Sequence, residues 1–243
     1  MNMTASMDMT MTPNAYDERR GKLETYFDRT ALDAWAQLTS DAPVSKIRAT
    51  VRAGRDSMRE TLLSWMPEDL TGASLFDAGC GTGALSVAAA RRGARVVGVD
   101  VSASLVKLAD ERTPKDFTAG SVDFRVGDML DARFGQFSYV VAMDSLIHYP
   151  SEEILRVLGA FAARTTAAIL FTFAPKTPAL TMMHAAGKLF PRADRAPAIE
   201  PVSEAVIRRG VETGAAFEGW AIGRTQRISS GFYKSQAMEL VRV

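Results

Sequence analysis

Apolar positions along the chain fall into two regimes. From Asp17 to Leu38, Leu23, Tyr26, Phe27, Leu32 and Trp35 recur at a partly helical spacing. From Pro43 to Met66 a second helical stretch sets Ile47, Val51, Met58 and Leu62 on one face, with Gly54 in the same stripe. From Ala73 onward the period switches. Ala73–Asp77, Ala94–Asp100, Val122–Val126, Phe137–Met143 and Thr165–Phe173 read as short apolar strands. Between them lie helical segments at Gly83–Arg92, Ala103–Arg112 and Ser151–Ala163, the last with Ser151, Glu152 and Glu153 suited to its N-terminus. Strands alternating with helices predict an α/β fold with a parallel sheet covered on both faces.

The alternation breaks after Phe173. Residues 174–201 hold five prolines and a short Met- and Leu-rich helical piece at Ala179–Phe190, the pattern of an insertion packed over something. A helix at Ser203–Thr213 follows, and Phe217–Ile228 with Gly231–Val241 predict a terminal strand pair. The first twelve residues, MNMTASMDMTMT, have neither the basic nor the apolar region of a signal peptide and are expected to be a disordered tail.

Composition narrows the function classes. The 243 residues suit one large domain, or one domain with an appendage, at ~150 residues per domain. Lys+Arg is 29 against Asp+Glu 28, which excludes a strong global field for nucleic acid. Cys80 is the only cysteine, so intrachain disulfides and cysteine-cluster zinc sites are excluded and a reducing compartment is expected. No apolar run is long enough to span a bilayer. Arg48, Arg52, Arg55 and Arg59 form a helical stripe, read either as a solvated face or as a docking surface for an anionic partner.

The candidate chemistry lies in Asp77-Ala78-Gly79-Cys80-Gly81-Thr82-Gly83, between a strand and a helix. Glycines let the backbone turn sharply and approach a ligand, and the helix N-terminus behind them suits a carboxylate or phosphate. Gly79, Gly81 and Ala84 also satisfy a dinucleotide fingerprint, so NAD or FAD competes. The acids favour S-adenosylmethionine. Asp77, two residues before the first glycine, suits an ammonium and would repel a pyrophosphate. Asp100, followed by Val101, ends the next strand and suits both ribose hydroxyls. Asp128, after the third strand, suits the adenine amino group, with Met129 offering backbone to the ring edge. Asp144, after the fourth strand, is expected to join them in the cofactor site.

DAGCGTG, GVDVS and GDM resemble the first three motifs of class I S-adenosylmethionine-dependent methyltransferases. That resemblance implies a Rossmann-like sheet of seven strands with an antiparallel last strand. No Pro-Cys pair and no Asn- or Asp-Pro-Pro-Tyr motif is present, which argues against base methylation. Further segments resemble the magnesium-protoporphyrin IX O-methyltransferase family: Tyr26-Phe27 with Trp35, Ile47-Arg48 with Arg52–Arg55, Asp144–Pro150, Leu189–Arg192 on to Pro201, and Arg227–Tyr233. The family implies methylation of one propionate of magnesium protoporphyrin IX in (bacterio)chlorophyll synthesis, with magnesium brought only inside the substrate and no metal of the protein's own. A phenol-directed O-methyltransferase and a dinucleotide-dependent oxidoreductase stand as alternatives.

The division expected is a tail over 1–15, a helical lid over 16–66 and a methyltransferase domain over 67–243 whose insertion, 174–201, covers the substrate. Arg192, Met182 and Phe190 are the expected tetrapyrrole contacts. His148 and Tyr26 are the expected catalytic pair. His148 positions the propionate as a neutral donor or as imidazolium, and Tyr26 donates its hydroxyl to the same group. His148 also reads as a helix-start cap, and Tyr26 as a buried anchor. His184, in the insertion, reads as a packing residue or an axial magnesium ligand. Expected partners are the tetrapyrrole and the large subunit of magnesium chelatase. The expected location is cytoplasmic, at the periphery of a photosynthetic membrane.

Overall fold

The computed structural model describes residues 14–29, 32–40, 42–176 and 198–243. Three helices come first: α1 (Asn14–Arg29), α2 (Leu32–Leu38) and α3 (Lys46–Ser64). The alternating region then supplies β1 (Ser74–Ala78), α4 (Ala84–Arg91), β2 (Arg95–Asp100), α5 (Ala103–Arg112), β3 (Ser121–Val126), β4 (Phe137–Ala142), α6 (Ser151–Ala162) and β5 (Thr165–Phe173). α7 (Glu204–Thr213), β6 (Trp220–Ser230) and β7 (Tyr233–Arg242) follow.

The strands form one seven-stranded sheet in the order β3-β2-β1-β4-β5-β7-β6. β7 runs antiparallel to both neighbours, while β1 to β5 pair in parallel. This is the expected α/β sheet, closed by the expected terminal hairpin. The sequence explains where each strand lies. β5, TTAAILFTF, is almost continuously apolar and is buried in the middle of the sheet. The edge strands β3 and β6 are charged instead, with an Asp123–Arg125 ion pair on β3 and Arg224, Gln226 and Arg227 on β6. Charge on an edge discourages pairing with another chain. The hairpin turns at Gly231, φ 54°, as a two-residue connection requires.

Two apolar clusters cover the sheet. One face carries Met58 and Leu62 of α3 with Leu85 and Ala89 of α4. The other carries Ile154, Leu158 and Phe161 of α6 with Ile207 and Val211 of α7. The predicted helical lid is therefore divided. α3 is a layer of the sheet sandwich, packed on β6 and β7. α1 and α2 cross the ends of the strands, α1 against α5. The helix caps are local: Ser45 accepts the N–H of Arg48 and Ser102 that of Leu105. Pro150, not Ser151, occupies the cap position of α6, with Glu152 and Glu153 in the first turn.

β1, β4, β2 and β3 bring Asp77, Asp144, Asp100 and Asp128 to their C-terminal ends. The strand order reverses between β1 and β4, the place where open α/β sheets bind ligands. At the base of the predicted insertion, Pro175 bridges Val202 and the Lys176 N–H donates to the Val202 carbonyl at 2.9 Å. Met182, His184, Phe190 and Arg192 lie outside the described residues.

Candidate active site

Three glycines shape the loop between β1 and α4. Gly79, Gly81 and Gly83 have φ of 79°, 53° and 79°, a region that favours glycine. A Cβ on Gly79 would stand 2.4 Å from Ser145 Cβ, and one on Gly83 2.5 Å from the Phe124 ring. A Cβ on Gly81 would meet nothing within 4 Å, so the loop is closed at its ends and open at its centre. The open centre faces two adjoining cavities, of about 120 and about 400 Å³. Ser145 Oγ is buried there without a hydrogen-bond partner among the described residues. An open cradle with an orphaned hydroxyl beside it fits a bound group.

The four acids occupy different states. Asp77 is 1% exposed and accepts the Ser86 hydroxyl at 2.6 Å. Burial pushes its carboxyl up to about 6, with nearby Asp100 adding to the rise. Asp100 accepts the Gly81 N–H at 2.9 Å and the Ser102 N–H at 3.0 Å, so it braces the glycine loop while lining the smaller cavity. Burial raises its carboxyl too, against those two bonds.

Asp128 turns toward α1. It accepts Tyr16 Oη at 2.7 Å, Arg20 Nη1 at 2.9 Å and the Leu130 N–H at 2.9 Å. A carboxylate has about four acceptor sites, so one is left for a further donor. The Met129 carbonyl receives Arg164, and the backbone group Met129 retains for a ring edge is its N–H.

Asp144 is held by donors from α3, β5 and β7. Its side chain is 6% exposed and Arg55 Nη1 reaches it at 2.7 Å. Tyr233 Oη donates at 3.0 Å, Ser235 Oγ at 3.3 Å and Thr172 Oγ1 at 3.2 Å. The carboxylate is thus filled by protein donors. Among the described residues it is the one non-glycine with positive φ, 57°. It fastens α3 and β7 to the end of β4 and also lines the smaller cavity beside Ser145. Three of the four arginines in the predicted stripe have partners outside α3. Arg55 holds Asp144, Arg48 reaches Gln37 at 3.0 Å, and Arg52 donates to the carbonyls of Gln37, Leu38 and Ala42. These three arginines tie α2 and α3 into the molecule.

His148 ends a short 3-10 turn, Leu146–His148, and lines the smaller cavity with Gly79, Gly81, Asp100, Val101 and Met129. Its ring is buried, which pushes its pKa down from the usual imidazole value. Nδ1 lies 3.1 Å from the Ala198 carbonyl. A carbonyl only accepts, so Nδ1 carries the proton and the Nε2 of the neutral ring is an acceptor. The expected neutral donor toward substrate is therefore replaced by an acceptor. Arg19 of α1 donates to the His148 carbonyl at 2.7 Å. Tyr26 is half-buried and edge-on to Phe27, whose ring meets both Trp35 and His148. Burial raises the Tyr26 phenol, so it remains an O–H donor.

Sequence reasoning missed Tyr16, Arg19 and Arg20 on α1, and Asp28, which accepts Ser102 Oγ at 2.5 Å and the Ser104 N–H at 3.1 Å. It also missed Ser86 and Tyr233 as partners of Asp77 and Asp144. Only Tyr233 left a trace, inside the Arg227–Tyr233 segment already singled out.

Comparison with known proteins places this geometry. A family model described as "Magnesium-protoporphyrin IX methyltransferase C-terminus" matches residues 142–242, and a general methyltransferase domain matches 75–166. The chain is 49% identical over 228 residues to a magnesium-protoporphyrin O-methyltransferase of Rhodobacter capsulatus, covering 93% of this chain and 98% of that protein. A Synechocystis protein of the same name is 31% identical over 96% of this chain and its own full length. The crystal structure of magnesium protoporphyrin IX methyltransferase from Synechocystis with bound SAH superposes with a TM-score of 0.80 at 30% identity, covering 92% of this chain and 99% of that one. The chain belongs to the magnesium-protoporphyrin O-methyltransferase family.

Proposed function

We propose that this chain methylates a propionate carboxylate of magnesium protoporphyrin IX, giving the monomethyl ester of (bacterio)chlorophyll synthesis. The observation that carries the reading is the shared cavity: buried His148 opens onto the same space as the glycine loop, Asp100 and Met129. S-adenosylmethionine, when bound, supplies a sulfonium methyl group. Asp77 takes its ammonium, Asp100 and Val101 its ribose, and the free acceptor site of Asp128 with the Met129 N–H its adenine. Gly79, Gly81 and Gly83 give the backbone room. The 1% exposure of Asp77 and its raised carboxyl fit a buried charge that a bound ammonium would stabilise.

The propionate must be stripped of water, held, and left with one oxygen lone pair free. Phe27 and Trp35 exclude water from the cavity. An apolar cavity favours the protonated acid, and His148 Nε2 takes that proton. The resulting imidazolium holds one carboxylate oxygen, and the Tyr26 hydroxyl donates to the same group. Orientation of this kind is worth ~7–11 kcal/mol in well-aligned systems. The magnesium belongs to the substrate and takes no part. Arg192, Met182 and Phe190 cover the macrocycle. The broad apolar substrate supports a station at the edge of a photosynthetic membrane, supplied by the large subunit of magnesium chelatase. No described helix is long and apolar enough to cross that membrane.

The test is methyl transfer to magnesium protoporphyrin IX, read as monomethyl ester, beside a catechol. Ester from the tetrapyrrole alone is expected. His148→Gln should lower turnover at least tenfold while leaving the affinity for S-adenosylhomocysteine within twofold. Methylation of the catechol alone, or tight NAD binding without S-adenosylhomocysteine binding, overturns the reading.

A further inference from the structure

We propose that the tip of the β6–β7 hairpin, with the start of α3 beside it, is the edge by which the protein docks on a membrane surface of anionic lipid. Two segments distant in the chain meet there. A Cβ on Gly231 would stand 2.2 Å from Thr50 Oγ1, and Thr50 in turn donates to the Ile47 carbonyl at 2.8 Å. Gly54 closes the same contact one turn further along, against the Tyr233 ring. Ile47 and Phe232 both belong to segments that carry the family resemblance, yet neither lines either cavity.

This edge shows solvent an apolar and cationic surface. Phe232 is 58% exposed and Ile47 56%. Single exposed apolar side chains are ordinary, but two on adjoining elements form a patch. The charge around them has one sign, since residues 42–55 and 220–238 contain no aspartate or glutamate. Arg48, Arg227 and Lys234 have neutral partners among the described residues, Gln37, Gln236 and Ser229. Lys46 is exposed. Lys46 and Arg48 also stand in the first turn of α3, where a helix favours acids and this one has none. A specific protein interface takes about 800 Å² from each partner, more than a hairpin tip offers. A lipid surface accepts one or two inserted side chains and attracts cations without fixed geometry. The edge also adjoins the site, because Tyr233 bonds Asp144 on the wall of the smaller cavity. The inference rests, for its purpose, on the membrane station proposed above; binding itself is measured apart from methyl transfer.

Vesicle flotation of the full chain is the test. The chain should bind vesicles of phosphatidylglycerol mixed with phosphatidylcholine and leave them as salt rises. Phosphatidylcholine alone should bind at least about tenfold more weakly. Phe232→Ser should weaken binding to the mixed vesicles about tenfold or more, through lost insertion. Lys46→Gln and Lys234→Gln should each weaken it roughly fivefold. Phe232→Trp should keep binding, and brominated lipid should quench its emission beyond that of the parent. Each variant should keep the parent's Tm within about 2 °C and methylate detergent-solubilised magnesium protoporphyrin IX at the parent's rate. No vesicle binding by the parent, or equal binding by the parent and Phe232→Ser, overturns the proposal. So does a dimer lost in Phe232→Ser, read by light scattering, from a chain that ignores vesicles. Ester formation without vesicle binding removes the docking edge alone. Vesicle binding as expected with no ester from the tetrapyrrole leaves the edge standing and defeats the methyl-transfer reading instead.

Discussion

Burial holds the Asp77 carboxyl at about 6, above the usual carboxylate value, and this links the site to stability. Between about pH 4 and pH 6 the folded chain binds this proton and the unfolded chain does not. Stability is therefore full below that window, falls as pH rises through it, and stays reduced above it; two pKa units correspond to ~3 kcal/mol. Asp77→Asn keeps an acceptor for Ser86 and removes the charge. Urea unfolding should show the variant more stable at pH 8, by up to ~3 kcal/mol, with the gain vanishing toward pH 4, while its affinity for S-adenosylhomocysteine drops. An unchanged midpoint at pH 8 would contradict this. Asp77, Asp100 and Asp128 were readable from sequence because each directly ends or follows a strand. The true company of Asp144 was not. Its partners Arg55, Thr172 and Ser235 lie 89, 28 and 91 residues away, and no local spacing encodes such contacts.

Element boundaries in the alternating region follow from period alone, and β1, β2 and β5 begin and end within a residue of the pattern. The hairpin begins two to three residues later than its pattern, because Phe217 closes a 3-10 turn against the core instead of starting a strand. The N-terminal helices were harder to place. A helical stripe says that one face is covered, not by what, and α3 is covered by β6, β7 and α4. Gly54 sets that contact: a Cβ there would lie 2.5 Å from the Tyr233 ring. Gly54→Ala should push α3 off the hairpin and strain the Arg55–Asp144 bond. Overpacking of this kind costs about 1–3 kcal/mol. The expected result is a lower Tm together with weaker methyl transfer; a variant as stable as the parent would show that Tyr233 rotates away freely.

At the scale of the whole molecule, the sheet gathers groups from distant parts of the chain at one edge of four neighbouring strands, and α1 binds two of them at once, Asp128 and the His148 loop. A ligand that binds only this assembled state stabilises it by mass action. S-adenosylhomocysteine at a hundred times its Kd should add ~2.7 kcal/mol, raising Tm by roughly 5–10 °C for a chain of this size. A Tm indifferent to ligand would mean that the donor site does not depend on the fold described. Long-range closure has a temporal side as well. β7 slots between β5 and β6, and Asp144 waits for Tyr233 and Ser235 to fill its carboxylate. While a ribosome is still translating, earlier segments can collapse into helices and parallel strands, but Asp144 then lacks two of its donors and β5 lacks the strand that pairs with it. Synthesis therefore has to run through the whole of β7, to Arg242, before that edge is paired, so a nascent chain halted earlier would carry the glycine loop in an unfinished sheet.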